Sequence, residues 1–187
     1  MPQRILGIDP GLTRCGVGII EVDSRRSLKY VYVDTFRTDA NLALDERIGS
    51  IAEGLALTID KYKPNLIALE RVFAQHNLKT VMGVAQISGV ALLLANQRGL
   101  PIQLHTPSEV KAAVTGSGRA NKEQVGFMVA KLLGLAEIPK PADAADALAI
   151  AITAGWRPAA GSTGGPLTKA QEAWSKAEAA SKKSRRA

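Results

Sequence analysis

The sequence predicts an α/β domain: a mixed five-stranded sheet flanked by helices on both faces. Three observations lead there. Three β-prone apolar runs come first, at 4–9, 15–22 and 28–36, separated by turn signals. Helical and strand patterns alternate after them. Between two of the helical patterns stands Leu66 to Leu69, apolar at every position, as a strand covered on both faces must be.

Taken in order, Arg4 to Asp9 ends at Asp-Pro-Gly, a favoured turn start, and Cys15 to Val22 resumes the pattern, so the two read as a hairpin. Leu28 to Phe36, rich in Tyr and Val, gives a third strand. Asp45 to Tyr62 sets Ile48, Ile51, Ala52, Leu55 and Ile59 at helical spacing, and Pro64 closes that helix. Glu70 ends the short buried strand. A helix over 78–98, a strand over 102–105 and helices over 107–114, 121–133 and 141–156 complete the body. Pro158 to Pro166 is rich in Ala, Gly, Ser and Thr, and a Lys/Ala/Ser mixture without an apolar stripe follows it. The expected division is one folded domain over 1–157 and a flexible basic tail over 158–187.

At 187 residues with 46 % hydrophobic and 22 % charged side chains, the chain holds one domain's core, which excludes disorder throughout and a two-lobed enzyme. No apolar run reaches the roughly 20 residues needed to span a bilayer, and the N-terminus lacks a secretory pattern, so no membrane partner and a cytoplasmic location are expected. A single cysteine, Cys15, excludes an internal disulfide. With only His76 and His105 beside it, no Cys/His zinc cluster can be assembled, so any metal must be held mainly by oxygen. The net charge of +7 is uneven: residues 71–131 carry +5 and the segment from Trp156 onward another +5, against −1 over 1–70 and −2 over 132–155. Basic surface in the middle third and the tail suits a polyanion.

Acidic side chains normally sit on solvated faces, so those embedded in apolar runs stand out. Asp9 terminates Ile5-Leu6-Gly7-Ile8, Glu70 terminates Leu66-Ile67-Ala68-Leu69, and Asp143 and Asp146 are the only charges in Pro141 to Ile152. Residues three apart share a helix face, so Asp143 and Asp146 are expected to project the same way. Four carboxylates converging at one end of a sheet cannot all ionise cheaply without a divalent cation, and an all-oxygen donor set suits Mg²⁺ or Mn²⁺. Each acid alone has a plainer reading: Asp9 as an ordinary turn residue, Glu70 as a partner of Arg71, and Asp143 and Asp146 as a helix cap and first-turn dipole complement. The helix over 78–98 is apolar nearly all round, so the side not on the sheet must bury under further helices or against a second copy of the chain, the latter being the expectation.

Three separated segments then agree in order: Gly-Ile-Asp-Pro-Gly-Leu-Thr-Arg-Cys-Gly-Val-Gly (7–18), Ala-Leu-Glu-Arg-Val-Phe (68–73) and Pro-Ala-Asp-Ala-Ala-Asp-Ala-Leu-Ala (141–149). Together they resemble RuvC, the bacterial Holliday junction endonuclease family of the RNase H-like superfamily, over about residues 1–156. The resemblance implies an RNase H-like fold and a homodimer. It also implies two Mg²⁺ ions per active site, which Mn²⁺ can replace, and partnership with the RuvA and RuvB branch-migration complex. The expected activity is resolution of four-way junction DNA by two symmetric nicks leaving 5′ phosphates. Carried over by position, the catalytic and metal-holding acids are Asp9, Glu70, Asp143 and Asp146. The base-stacking aromatic falls on Phe73 and two substrate-contacting bases on Lys111 and Lys122, with Arg119 close in the chain. Competing readings are an actin-like ATPase, which needs a second lobe, a non-catalytic DNA scaffold, which leaves the four acids unexplained, and an RNase H-like enzyme cutting RNA in hybrids.

Overall fold

The computed structural model describes residues 2–71 and 78–156. Five strands run β1 (Gln3–Asp9), β2 (Arg14–Val22), β3 (Leu28–Arg37), β4 (Leu66–Glu70) and β5 (Ile102–His105). Five helices are α1 (Leu44–Tyr62), α2 (Leu78–Gln97), α3 (Pro107–Thr115), α4 (Lys122–Leu133) and α5 (Ala142–Trp156). The sheet order is β3-β2-β1-β4-β5, antiparallel through β1, β2 and β3 and parallel from β1 through β4 to β5. This is the mixed sheet expected, and every element lies within about two residues of its sequence reading. The expected tail, with Phe73 and His76, lies outside the described residues.

Strand alternation sorts the core into two halves. Leu6, Ile8, Val17, Ile19, Ile67 and Leu69 face one way and pack with Ile51, Leu55 and Ile59 of α1 and Ile87, Ala91 and Ala95 of α2. Ile5, Ile20, Val22, Leu66 and Ala68 face the other way, onto α5, with α3 and α4 packed against it. Sandwiched so, α5 is buried at every position from Ala144 to Ala154 except Asp146. That accounts for its composition of Ala, Leu and Ile with almost no polar face.

The helix α5 lies unusually close to the sheet because the sheet offers glycines beneath it. A Cβ placed at Gly7 would run into the backbone carbonyl oxygen of Ala147, and one at Gly16 into that of Asp143. At Gly18 it would meet the Leu148 nitrogen at 2.8 Å. These three contacts seat α5 across the β1–β2 hairpin with its first turn over Gly16, the register partner of Asp9.

Candidate active site

The same alternation that points Ile5 and Gly7 toward α5 points Asp9, and likewise Glu70 follows Leu66 and Ala68. Both acids therefore stand at the end of neighbouring parallel strands, on the face that α5 covers. Through the glycine seat, Asp143 and Asp146 arrive over the same strand ends. All four expected acids are brought to one end of the sheet, each only partly exposed.

They are divided between two adjoining grooves. One, of about 410 Å³, is lined by Asp9, Asp143, the Pro10–Arg14 turn, Arg47, Gly83 and Val84. The other, of about 280 Å³, is lined by Asp9, Glu70, Asp146, Lys111 and Lys122 with Pro107, Val110 and Val125. Asp9 belongs to both, so it is the hinge of the arrangement. The expectation that Asp143 and Asp146 project together holds only coarsely, since each opens into a different groove.

Each α5 acid has a cationic partner. Arg14 Nε lies 3.1 Å from Asp143 Oδ2 in an ion pair, and Lys122 Nζ donates to Asp146 Oδ2 at 3.0 Å. No such partner reaches Asp9 among the described residues. Burial, then the charges of Asp146, Glu70 and Asp143, push the Asp9 carboxyl from its ordinary 3.8 up to about 8, with Lys122 opposing. Glu70 is raised as well, first by burial and then by Asp146. Its expected alternative partner, Arg71, makes no ion pair with it among the described residues. Instead the Arg71 amide donates to the His105 carbonyl at 2.6 Å.

Lys122 is held at the site against a local preference. Asn121 caps α4, its Oδ1 accepting from the Gln124 amide at 2.9 Å while Gln124 Oε1 accepts from the Asn121 amide at 3.0 Å. Lys122 is thus the first helical residue, where the positive end of the helix dipole disfavours a cation. The bond to Asp146, with that carboxylate's charge, outweighs the cost of burial and raises the lysine above its usual range. Lys111 reaches the same groove from α3, whose start is fixed by Thr106 and Glu109 in a reciprocal cap.

Arg119 lies elsewhere. It lines a separate groove of about 510 Å³ between the α3–α4 turn and α4, with Ser117, Gln124 and the exposed Phe127. Cys15 is fully buried and its thiol is pushed up to about 12, so it offers no thiolate for nucleophilic chemistry. Sequence reasoning did not single out Arg14, Arg47 or the seat of Gly7, Gly16 and Gly18. The one available signal was the density of glycine in an otherwise apolar hairpin.

The donor chemistry fits a hard divalent cation: four carboxylates, no sulfur or imidazole, and one acid that cannot ionise cheaply unless positive charge is added. Among the described residues no three acidic, His or Cys side chains are already gathered closely enough to hold a metal ion. Two of the four acids are engaged by Arg14 and Lys122, so filling the site requires those ion pairs to loosen.

Comparison with known proteins agrees with this geometry. The family model described as crossover junction endodeoxyribonuclease RuvC matches residues 5–154. A RuvC from Leifsonia xyli is 56 % identical over 95 % of this chain and 93 % of its own. One from Paenarthrobacter aurescens is 51 % identical over 99 % of this chain and 100 % of its own. Among solved structures, Thermus thermophilus RuvC in complex with a Holliday junction substrate aligns with TM-score 0.76 at 33 % identity, covering 81 % of this chain and 92 % of that one. The yeast mitochondrial resolvase Ydc2, at TM-score 0.57, 16 % identity, and 82 % and 78 % coverage, shares the fold. With the family model, the relatives' identity over nearly the whole chain and the fold in agreement, the chain belongs to the RuvC family of crossover junction endodeoxyribonucleases, on the RNase H-like fold.

Proposed function

We propose that residues 1–157 form a nuclease domain that resolves four-way DNA junctions by paired nicks in opposite strands, with Asp9, Glu70, Asp143 and Asp146 as its catalytic, metal-holding acids. The observation that carries this reading is Asp9: a carboxyl shared by two grooves, which burial and then its three acidic neighbours hold protonated near neutral pH unless cations arrive. Two Mg²⁺ ions, or Mn²⁺ in their place, would supply activation of the attacking water and neutralisation of charge on the phosphate and the leaving 3′ oxygen, giving a 5′ phosphate product. Asp9, Glu70, Asp143 and Asp146 would hold them, Asp9 being the carboxylate common to both grooves. Lys122, three-quarters exposed and reaching 3.0 Å from Asp146, is placed to exchange that carboxylate for a phosphate oxygen as charge builds there. Lys111 adds a second cation on the same side, Arg119 would serve DNA from its separate groove, and Phe73 keeps the base-stacking role that the resemblance implies.

Two opposite nicks call for two identical sites related by a twofold axis. The side of α2 that faces away from the sheet supports such a homodimer: Met82, Leu92 and Leu93 are 58 %, 42 % and 56 % exposed, and Leu104 on the edge strand β5 is 45 % exposed. Work alongside RuvA and RuvB, in the cytoplasm, belongs to the same reading. It is tested by incubating a synthetic four-way junction and an RNA/DNA hybrid with the protein and Mg²⁺. Symmetric nicks in the junction, absent from the hybrid and abolished by EDTA, are expected. Cleavage of the hybrid alone would replace the reading with a hybrid-specific nuclease.

A further inference from the structure

The acid cluster is flanked by two basic grooves, and only the one holding Lys111 and Lys122 has a role in the reading above. The other contains Arg14 and Arg47. Arg47 projects from the first turn of α1; its Nε donates to Thr38 Oγ1 at 3.0 Å and its terminal nitrogen to Thr13 Oγ1 at 2.9 Å. The Thr38 hydroxyl in turn donates to the Leu12 carbonyl at 2.5 Å, and Thr38 is itself buried. The guanidinium is thus fixed against the turn that follows Asp9 by neutral hydroxyls, with no carboxylate partner among the described residues. Arg14 lies on the same turn, more than half exposed, bound on one side to Asp143.

A fixed cation held by neutral groups, beside a second cation tied to an acid that must be freed when metal enters, makes a site that needs an anion. Resting on the junction-nuclease reading, we propose that Arg14 and Arg47 form a phosphate subsite for the cleaved strand. It would bind a backbone phosphate displaced from the scissile one, on the side of Asp9 opposite Lys111 and Lys122. Arg47 is the preformed half. Arg14 is the exchanging half, releasing Asp143 to metal as it turns to the phosphate. The strand would then cross Asp9 with cations on both sides, which fixes its direction over the acids. Both are positioning residues, since neither reaches the reacting phosphorus.

The test replaces single phosphates near the cleavage point of a four-way junction with uncharged methylphosphonates, one position at a time. Wild type, Arg14→Gln, Arg47→Gln and Arg47→Lys are compared by binding in EDTA across a salt series and by cleavage with Mg²⁺. Each Gln variant is expected to lower the salt slope of binding by about one. One non-scissile methylphosphonate should weaken wild type about tenfold and leave Arg47→Gln nearly unaffected. Arg47→Lys should recover the slope without full recovery of cleavage, since a lysine cannot hold both hydroxyls and the phosphate. Melting curves separate a misfolded turn from a lost contact, and Arg14→Gln, which removes an exposed side chain, carries the test if Arg47→Gln unfolds. Slopes unchanged in both Gln variants, or a methylphosphonate effect undiminished by them while the junction is still cut, would overturn the subsite alone. Failure of wild type to bind or cut any four-way junction would overturn the nuclease reading, and the subsite with it.

Discussion

At the scale of the residue, the site is a problem of like charge, and Asp9 carries most of it. Its folded-state value of about 8 lies above the ordinary 3.8, so as pH rises the unfolded chain gives up this proton first. Its contribution is therefore fully present below about pH 4 and is lost as pH climbs towards 8. In divalent-free buffer, thermal stability should include a component that falls over that window, and added Mg²⁺ should restore it. Asp9→Asn should remove the component and raise the melting temperature at pH 8 without metal by about 3 °C or more, corresponding to roughly 1 kcal/mol in a domain of this size. The same substitution should abolish cleavage. Calorimetry of both proteins at pH 5 and pH 8 checks the sign: a variant less stable than wild type at pH 8 without metal would mean that Asp9 is not frustrated there. Lys122 supplies the complementary case. Its position at the start of α4 has a local cost that the Asp146 bond offsets. Lys122→Gln should therefore slow cleavage at least tenfold while changing stability by less than about 1 kcal/mol, the usual scale of an exposed pair. Parallel kinetic and melting measurements would show whether the two effects separate.

At the scale of the element, the strands and helices were legible because their signals are local. Alternation, helical spacing, and the Pro and Gly punctuation placed all five strands and five helices. Alternation also fixed the direction of two acids: once β1 and β4 are strands, Asp9 and Glu70 must face as Ile5 and Leu66 do. What the sequence did not reveal depends on neighbours in other elements, from 9 to more than a hundred residues away. Nothing local to Gly16 says that the first turn of α5 will lie on it. Nothing in α1 distinguishes Arg47 from an ordinary solvated helix residue until Thr13 and Thr38 meet it. The division of Asp143 and Asp146 between two grooves likewise depends on Arg14 and Lys122, each from a different element. The glycine seat gives a direct prediction. Gly16→Ala must push α5 off the hairpin and should cost about 3 kcal/mol, at the upper end for overpacking a core, and displace Asp143. Gly49→Ala, on the open face of α1 where a Cβ meets nothing within 4 Å, should instead stabilise by about 0.5–1 kcal/mol. Denaturant titrations of both variants check the pair, and equal effects would show that α5 does not depend on close approach to the sheet.

At the scale of the whole molecule, the proposed paired nicks call for two copies, and α2 leaves one apolar face uncovered where a second copy would sit. With Ile87, Ala91 and Ala95 turned to the core, Met82, Leu92 and Leu93 lie exposed on α2. The apolar character of this helix was legible in the sequence as an excess over what one sheet face can bury. Leu93→Glu should shift the protein from dimer to monomer in sedimentation at micromolar concentration. It should also uncouple the two nicks, so that nicked junctions accumulate in place of resolved duplexes; a monomeric wild type would remove this face as the interface.

The central claim is that four acids at one end of the sheet cut four-way DNA with divalent metal. It is tested most directly by mapping cleavage of a synthetic junction by wild type and Asp9→Asn, with Mg²⁺ and with EDTA. Paired symmetric nicks ending in 5′ phosphates are expected for wild type with Mg²⁺ alone, and junction binding without nicks for Asp9→Asn. Nicking that survives Asp9→Asn, or wild-type binding with no nick under Mg²⁺ or Mn²⁺, would contradict it.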